Sequence, residues 1–217
     1  MSQPAESPRR FNELAGLSLA RLAGISDGVF SVGMTLLVLG LAVPSISAAQ
    51  SSEADLSSAI FKLAPNLVVY ALSFMTLGIF WVGQQTQLEQ LERGNRHYTW
   101  LQLAFLFAVT LLPFSTQLLA HFPTHQVALV EYWLNVLLLG LMLLAGLEYG
   151  LHARLFREDR VHYVAHLMRG RIVIAQGLYA IATAVSLFFP TWVSILLIVL
   201  FQLNYVVAPR IPVLDRF

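Results

Sequence analysis

The sequence predicts an all-α integral membrane protein with six transmembrane helices. Of the 217 residues, 57% are hydrophobic and only 12% are charged, whereas about a quarter of the residues in a soluble globular domain carry charge. The apolar runs are close to 20 residues long, the length at which an α-helix crosses ~30 Å of hydrocarbon. They are apolar on all sides rather than alternating, which indicates helices and not the strands of a membrane barrel.

The apolar runs also set the domain organisation. We place the spans approximately at 18–44, 57–83, 98–120, 127–151, 170–189 and 191–208. The prolines that interrupt or kink these runs are Pro44, Pro65, Pro113 and Pro190. We expect a polar N-terminal segment at 1–17, one six-helix membrane domain at 18–208 and a cytoplasmic tail at 209–217.

Basic residues concentrate on one side of the predicted membrane. Lys and Arg near the ends of spans resist translocation, so the side that carries them is the cytoplasmic one. Only Lys62 falls on the opposite side, close to Glu53 and Asp55. The cytoplasmic side receives Arg9, Arg10, Arg21, Arg93, Arg96, Arg154, Arg157, Arg160, Arg169, Arg171, Arg210 and Arg216. We therefore expect both termini in the cytoplasm, with the connection at 152–169 as the only sizeable loop.

Charge and cysteine content exclude several classes of function. A net charge of +1 provides no electrostatic footprint for nucleic acid. The chain has no cysteine, which removes disulfides, thiolate metal sites and cysteine nucleophiles. No motif of an intramembrane protease or a di-iron enzyme occurs. We predict a protein that is not an enzyme and that holds no cofactor and no metal site.

A carboxylate stands near the start of the first span, "RLAGISDGVFSVGMTLLVLGLAVP" at 21–44. A charge at the centre of a membrane helix costs about 2.5–3.5 kcal/mol on insertion scales, so it usually marks a pathway or has an internal partner. On a helix, Asp27, Ser31 and Thr35 form one polar stripe, with Gly24 and Gly28 on the same side. The neighbouring stripe is apolar and consists of Val32, Leu36, Leu39 and Val43.

Two interpretations of these stripes remain open from periodicity. Both stripes can be buried within the protomer, with Ser31 and Thr35 bonding back to carbonyls four residues earlier. Alternatively, the apolar stripe of the first helix meets a surface outside the protomer.

Three segments in the first half of the chain occur in order as recognisable motifs. Arg21 is followed, after three residues, by Ile25, Ser26, Asp27 and "GVFSVGMTLLVL"; "FWVGQQTQL" lies at 80–88 and "WLQLAFLFAVTLLPFSTQLL" at 100–119. They resemble the Arg-x-x-x-Phe-Ser-Asp signature, the Trp-x-x-His-His pattern and the Leu-Leu-Pro-Phe helix of one family. It is the lysosomal potassium-channel family, transmembrane protein 175, with its bacterial homologues. The resemblance covers about residues 18–120.

The sequence departs from the family pattern at four positions. Ile25 replaces phenylalanine, Gln84 and Gln85 replace the paired histidines, and Gln102 replaces an asparagine. The three replacements at polar positions are amides, which still donate and accept hydrogen bonds. The pH sensitivity that histidines would lend is therefore not implied.

The resemblance implies a structural role for the signature residues. In the family, these side chains join residues of the second and third helices in a hydrogen-bonded network that holds the first helix upright. Carried over, the network consists of Arg21, Ser26, Asp27, Trp81 and Gln102. Asp27 would then be a buried anchor and not an ion ligand.

The resemblance also implies the assembly and the permeant ion. Chains with a single six-helix unit form homotetramers in this family, and the first helix of each protomer lines a central pore for K⁺. Val32 occupies the position of the narrowest ring, Leu36 and Leu39 follow further along, and Thr35 matches a threonine linked to potassium preference. A ring of apolar side chains can gate by dewetting, and the chain lacks a Thr-Val-Gly-Tyr-Gly filter. We expect a potassium-preferring cation channel, multi-pass in a bacterial-type plasma membrane.

The competing hypothesis is a proton- or ion-coupled small transporter in which Asp27 titrates. Transporters tend to show inverted repeats and helices broken at the midplane. We find no repeat, and Pro113 is the nearest candidate for a break.

Because the chain has no cysteine, single-cysteine variants test the predicted topology cleanly. Glu53→Cys should react with an impermeant thiol reagent added outside intact cells, whereas Glu158→Cys should react only after permeabilisation. Equal labelling of both variants in intact cells would overturn the orientation.

Overall fold

The computed structural model describes residues 18–44, 52–157 and 161–207, and in these ranges the chain forms seven helices. They are α1 (Leu19–Val38), α2 (Glu53–Phe61), α3 (Ala64–Glu89), α4 (Arg96–His121), α5 (Gln126–His152), α6 (Val161–Val185) and α7 (Thr191–Val207). The prediction of an all-α membrane protein is confirmed, since α1, α3, α4 and α5 are long and apolar enough to cross a bilayer. Helix α7 is apolar but has 17 residues, and α6 carries Arg169 and Arg171. The count of six spans stays a prediction.

Part of the predicted organisation lies outside these ranges. The polar segment at 1–17 and the tail at 209–217 are not described. The same holds for Arg9, Arg10, Arg160, Arg210 and Arg216.

The first helix is shorter than the predicted span of 18–44. Ser18 caps its start by accepting a hydrogen bond from the Arg21 N–H at 3.3 Å, and the helix ends at Val38. Beyond it, the N–H groups of Leu39 and Gly40 donate to carbonyls three residues earlier, which is the tightened turn typical of a helix end.

The predicted second span, 57–83, is two helices. Pro65 has no N–H to donate to the carbonyl of Phe61, and its ring disfavours a continuous helix through that point. The proline instead lies in the first turn of α3, where an N–H would be unpaired anyway. The short α2 has its own capping box, in which Ser52 and Asp55 bond reciprocally. Hydrogen bonds from Ser52 hold the pKa of Asp55 below its usual value.

Helix α6 begins at Val161, well before the predicted start at 170, so the expected loop at 152–169 is wrong. The predicted start was too late because charged residues before 170 lower the local hydropathy. Arg169 lies against α5, where its Nε and Nη2 donate to the carboxylate of Glu148 at 2.5 and 2.7 Å. Ala165, one turn earlier, is buried. The early turns of α6 thus belong to the bundle.

Contacts at the two ends show that successive long helices run antiparallel. At one end, the Glu92 N–H donates to the Leu155 carbonyl at 2.9 Å and joins the α3–α4 and α5–α6 connections. At the other end, the Thr191 hydroxyl donates to the Thr124 carbonyl at 3.2 Å. Arg93, Arg96, Arg154 and Arg157 therefore share the first end, which we call the arginine end. Lys62, before α3, lies at the other.

Helix α1 packs on α3 and α4 with one face. Its buried residues are Leu22, Ser26, Phe30, Gly33 and Leu37. The Phe30 and Phe105 rings lie 6.0 Å apart, and a Cβ added at Gly33 would lie 3.6 Å from Leu77. The spacing of three and four residues identifies the packed face of α1.

A buried chain of hydrogen bonds fixes the same face. Gln84 Nε2 on α3 donates to Ser26 Oγ on α1 at 2.9 Å and to Gln102 Oε1 on α4 at 3.0 Å. Gln102 Nε2 then donates to the Tyr98 hydroxyl at 2.8 Å. All four side chains belong to buried residues. Since hydrocarbon offers no alternative partner, these directional bonds set the rotation of α1 about its axis.

A second buried polar cluster, which sequence reasoning missed, joins the remaining helices. Gln202 Nε2 on α7 donates to Thr76 Oγ1 on α3 at 2.6 Å and to the Tyr179 hydroxyl on α6 at 2.7 Å. Thr76 Oγ1 is also 2.9 Å from the Tyr132 hydroxyl on α5. The isolated polar residues within the apolar runs at 76 and 202 were the available signal, but nothing in the sequence pairs them.

We expect Gln84→Leu to destabilise the protein more than Gln85→Leu does. Gln84→Leu leaves Gln102 Oε1 buried without its donor. The substitution also removes the Gln84 amide oxygen, which has no hydrogen-bond partner among the described residues, and this loss offsets part of the cost. We therefore expect a net destabilisation of about 1–2 kcal/mol. Among the residues that the structure describes, Gln85 donates only to the exposed Asp27, which keeps Trp81 as a partner. Thermal unfolding of both variants in the same detergent makes the comparison, and equal melting temperatures would contradict it.

Candidate functional site

The apolar stripe of α1 is exposed in the single chain. The exposed fractions are 56% for Val32, 42% for Leu36 and 73% for Leu39. Val43 is 88% exposed and lies beyond the helix end. The interpretation that buries both stripes inside the protomer is therefore wrong, because α3 and α4 already occupy the opposite face of α1.

The polar stripe is exposed as well. Ser31 and Thr35 are exposed, and the Thr35 hydroxyl donates to the Val32 carbonyl at 2.8 Å, three residues back and not four. A Cβ added at Gly24 or Gly28 would meet nothing within 4 Å. These glycines do not serve close packing within the protomer, and they leave room along α1.

Asp27 sits at the edge of this face nearest α3. Its Oδ1 accepts hydrogen bonds from Trp81 Nε1 at 2.9 Å and from Gln85 Nε2 at 2.6 Å. The residue is exposed in the protomer, which corrects the expectation of a buried anchor. Two neutral donors orient the carboxylate through this one oxygen.

The residues expected to form one network fall into two groups. Ser26 and Gln102 are connected through the buried Gln84, and Asp27 is connected to Trp81. The side chain of Arg21 makes no ion pair with Asp27 in the part of the chain that the structure describes; its backbone N–H bonds the Ser18 cap. Gln85, which sequence reasoning treated only as a replaced histidine, is the shorter of the two contacts to Asp27.

A shallow apolar groove borders the exposed face on its other side. It lies between α1 and α4 and is lined by Ile25, Val32 and Leu36 on α1 and by Thr110 and Pro113 on α4. Pro113 thus sits inside α4 without ending it. The groove depends on the packing angle of two helices, which no sequence pattern reports.

The exposed face therefore combines three kinds of surface. The carboxylate of Asp27 lies at the arginine end, the hydroxyls of Ser31 and Thr35 lie along the middle, and apolar side chains run beside them toward the other end. Within the ranges described, no group of three His, Asp or Glu side chains is placed to hold a metal ion. Chemically, the face can contact water and ions through its polar stripe and can close off water through its apolar one.

A family model matches part of this chain, and individual known proteins match most of it. Residues 21–113 match the family model described as "Endosomal/lysosomal potassium channel TMEM175". A potassium channel of Chamaesiphon minutus is 27% identical over 182 residues, which are 81% of this chain and 87% of that protein. The human endosomal/lysosomal proton channel TMEM175 is 24% identical over 208 residues, or 92% of this chain and 41% of the human protein.

The fold has a solved counterpart. The crystal structure of a lysosomal potassium-selective channel TMEM175 homolog from Chamaesiphon minutus superposes with a TM-score of 0.74 at 23% identity and covers 88% of this chain and 97% of that one. At that identity the likeness concerns the fold. The matched relatives are ion channels and not enzymes. Together these matches confirm the resemblance drawn from the three motifs: residues 21–113 are similar to the TMEM175 channel family.

Proposed function

We propose that the chain forms a homotetrameric, potassium-preferring cation channel in which α1 of each protomer lines a central pore. The observation that carries this proposal is the composition of the exposed face of α1. A face that presents Asp27, Ser31 and Thr35 is costly against hydrocarbon, where polar and ionisable side chains face a bundle interior or a water-filled cavity. Copies of α1 around one axis would give this face both water and protein neighbours.

Val32 forms the constriction in this arrangement. Its side chain is more than half exposed, on the part of the helix midway between Asp27 and Leu37. Four valines around an axis make a ring of low polarity that can exclude water when it is narrow, and Leu36 and Leu39 continue the apolar wall. Thr35, one turn from Val32, supplies a hydroxyl oxygen to the pore and is the residue to which we assign potassium preference.

In this proposal the two groups of hydrogen bonds hold α1 and Asp27 in the orientation that the pore requires. Ser26 and Gln102, through Gln84, hold the rotation of α1, and Trp81 orients Asp27 at the arginine end. Arg21 contributes positive charge at that end. The permeant partner is a monovalent cation, no resident cofactor is needed, and nucleic acid plays no part.

The location follows from charge placement. The described arginines lie at one end of the bundle, which by the positive-inside tendency is cytoplasmic. We propose a multi-pass protein of a bacterial-type plasma membrane, supported by the potassium channel of Chamaesiphon minutus, which aligns along most of both chains.

Proton permeation is the second candidate. The animal relatives are named proton channels, among them the human protein, and Asp27 on α1 is exposed in the protomer. The transporter hypothesis, with a titrating Asp27, would give coupled flux that saturates. Potassium and proton currents recorded under separate gradients distinguish these alternatives from the channel proposed here.

Substitutions at Val32 test the constriction. Val32→Ala should widen the ring and raise unit conductance, and Val32→Asn should raise it further by keeping the ring wet. Because Val32 is exposed in the protomer, both variants should change stability by only about 0.5 kcal/mol. Planar-bilayer recordings of purified tetramers measure the conductance, and Thr35→Ala in the same recordings should lower the preference for K⁺ over Na⁺.

Leu37→Ala is the matched control on the opposite, buried face, where Leu37 is 2% exposed. It should cost about 2–5 kcal/mol in stability through a cavity and leave unit conductance unchanged. If both Val32 variants conduct like the parent protein, α1 does not line the narrow part of a pore and the channel proposal fails.

A further inference from the structure

A cavity separate from α1 opens between the other helices. It has a volume of about 100 Å³ and is lined by residues of α3, α5, α6 and α7. No residue of α1 contributes to it, so the proposed ion path does not account for it.

The walls of this cavity are divided by polarity along the helices. Toward the arginine end they carry Thr86 in the last turn of α3, Arg171 near the middle of α6 and Tyr205 near the end of α7. Deeper in the bundle they carry Ile79, Phe80 and Ala175. The α6 wall from Arg171 to Tyr179 extends about 12 Å along the helix axis. The hydroxyl of Tyr179, at the deep end, is already bonded to Gln202.

Arg171 is the charged group at the mouth. Its guanidinium carbon lies 5.9 Å from the centre of the Tyr205 ring, an arrangement that holds the cation by its interaction with the aromatic face. Arg169, two residues earlier, is neutralised by Glu148. Among the residues that the structure describes, no carboxylate pairs with Arg171, so its positive charge remains available to a ligand.

We propose that this cavity binds an anionic phospholipid. The phosphate would lie against the forked donors of Arg171, a geometry that guanidinium provides in two parallel hydrogen bonds. One acyl chain would occupy the apolar part between α3 and α6. Basic pockets between membrane helices at the cytoplasmic surface bind anionic headgroups for the same electrostatic reason.

Native mass spectrometry of the full-length protein, titrated with phosphatidylglycerol or with phosphatidylcholine of the same acyl chains, tests the proposal. The parent protein should bind phosphatidylglycerol more tightly. Arg171→Gln should weaken that binding about fivefold, the effect of one basic residue at a membrane surface, and should leave phosphatidylcholine binding unchanged. The readout requires no conductance, so its result is independent of the proposed channel function.

Three further variants make the outcome specific. Arg93→Gln removes the same charge at the same end but outside the cavity, and it should bind like the parent. Ala175→Leu fills the apolar part and should reduce phosphatidylglycerol binding with Arg171 intact. Arg171→Lys keeps the charge and should retain the preference for phosphatidylglycerol, so it and Ala175→Leu decide the matter if Arg171→Gln does not fold.

Three results would overturn the proposal. Equal effects of Arg171→Gln and Arg93→Gln would show that only overall charge attracts the lipid. Equal binding of both lipids to the parent would show an unselective lipid annulus. Full competition by inorganic phosphate, with Ala175→Leu binding like the parent, would show a simple anion site without a lipid chain.

Discussion

The contact of α1 with α3 and α4 determines which face of α1 is left free, and the candidate site depends on that choice. Successive residues of a helix are separated by about 100° around its axis. A rotation of α1 by one residue would therefore expose Ser26 or bury Val32. The hydrogen bonds from Gln84 hold Ser26 inward, and Phe30 packs against Phe105 one turn further. Directional polar contacts and ring packing agree on a single rotation.

The rest of the bundle makes α3 a rigid support for α1. Helix α3 carries Gln84 toward the arginine end and Thr76 about two turns away, and Thr76 is tied to α5 and α7 through Tyr132 and Gln202. Polar groups in hydrocarbon have few alternative partners, so each of these bonds restricts how α3 can turn or slide. The lateral cavity at Arg171 lies on the other side of α3 from α1. A lipid bound there would contact the same helix that orients the proposed pore face.

Hydropathy and span length were sufficient to predict the helical class and the approximate positions of α4 and α5, because both are long apolar runs with few charged residues. These two criteria predicted wrong helix boundaries where a proline or an arginine interrupts an apolar run. Pro65 divides the second predicted span into two helices. The start of α6 was predicted too late because Arg169 was taken to lie outside the span, whereas its charge is paired with Glu148.

The candidate site was likewise predictable only in part. Periodicity identified the two stripes of α1, and the motif resemblance identified Ser26, Asp27 and Gln102 as polar positions with partners. It could not show that Asp27 is exposed, since exposure depends on how far α3 covers α1. The link from Gln202 to Thr76 joins residues 126 positions apart, and no local pattern reports such a contact.

The most direct test of the central claim is a single-particle reconstruction of the full-length protein in lipid nanodiscs. We expect four copies around one axis, with α1 the innermost helix of each and the Val32 side chains closest to the axis. The polar stripe should face water along the axis, and α3 and α4 should lie behind α1. A reconstruction in which the exposed face of α1 contacts lipid, or in which another helix surrounds the axis, would contradict the proposed pore.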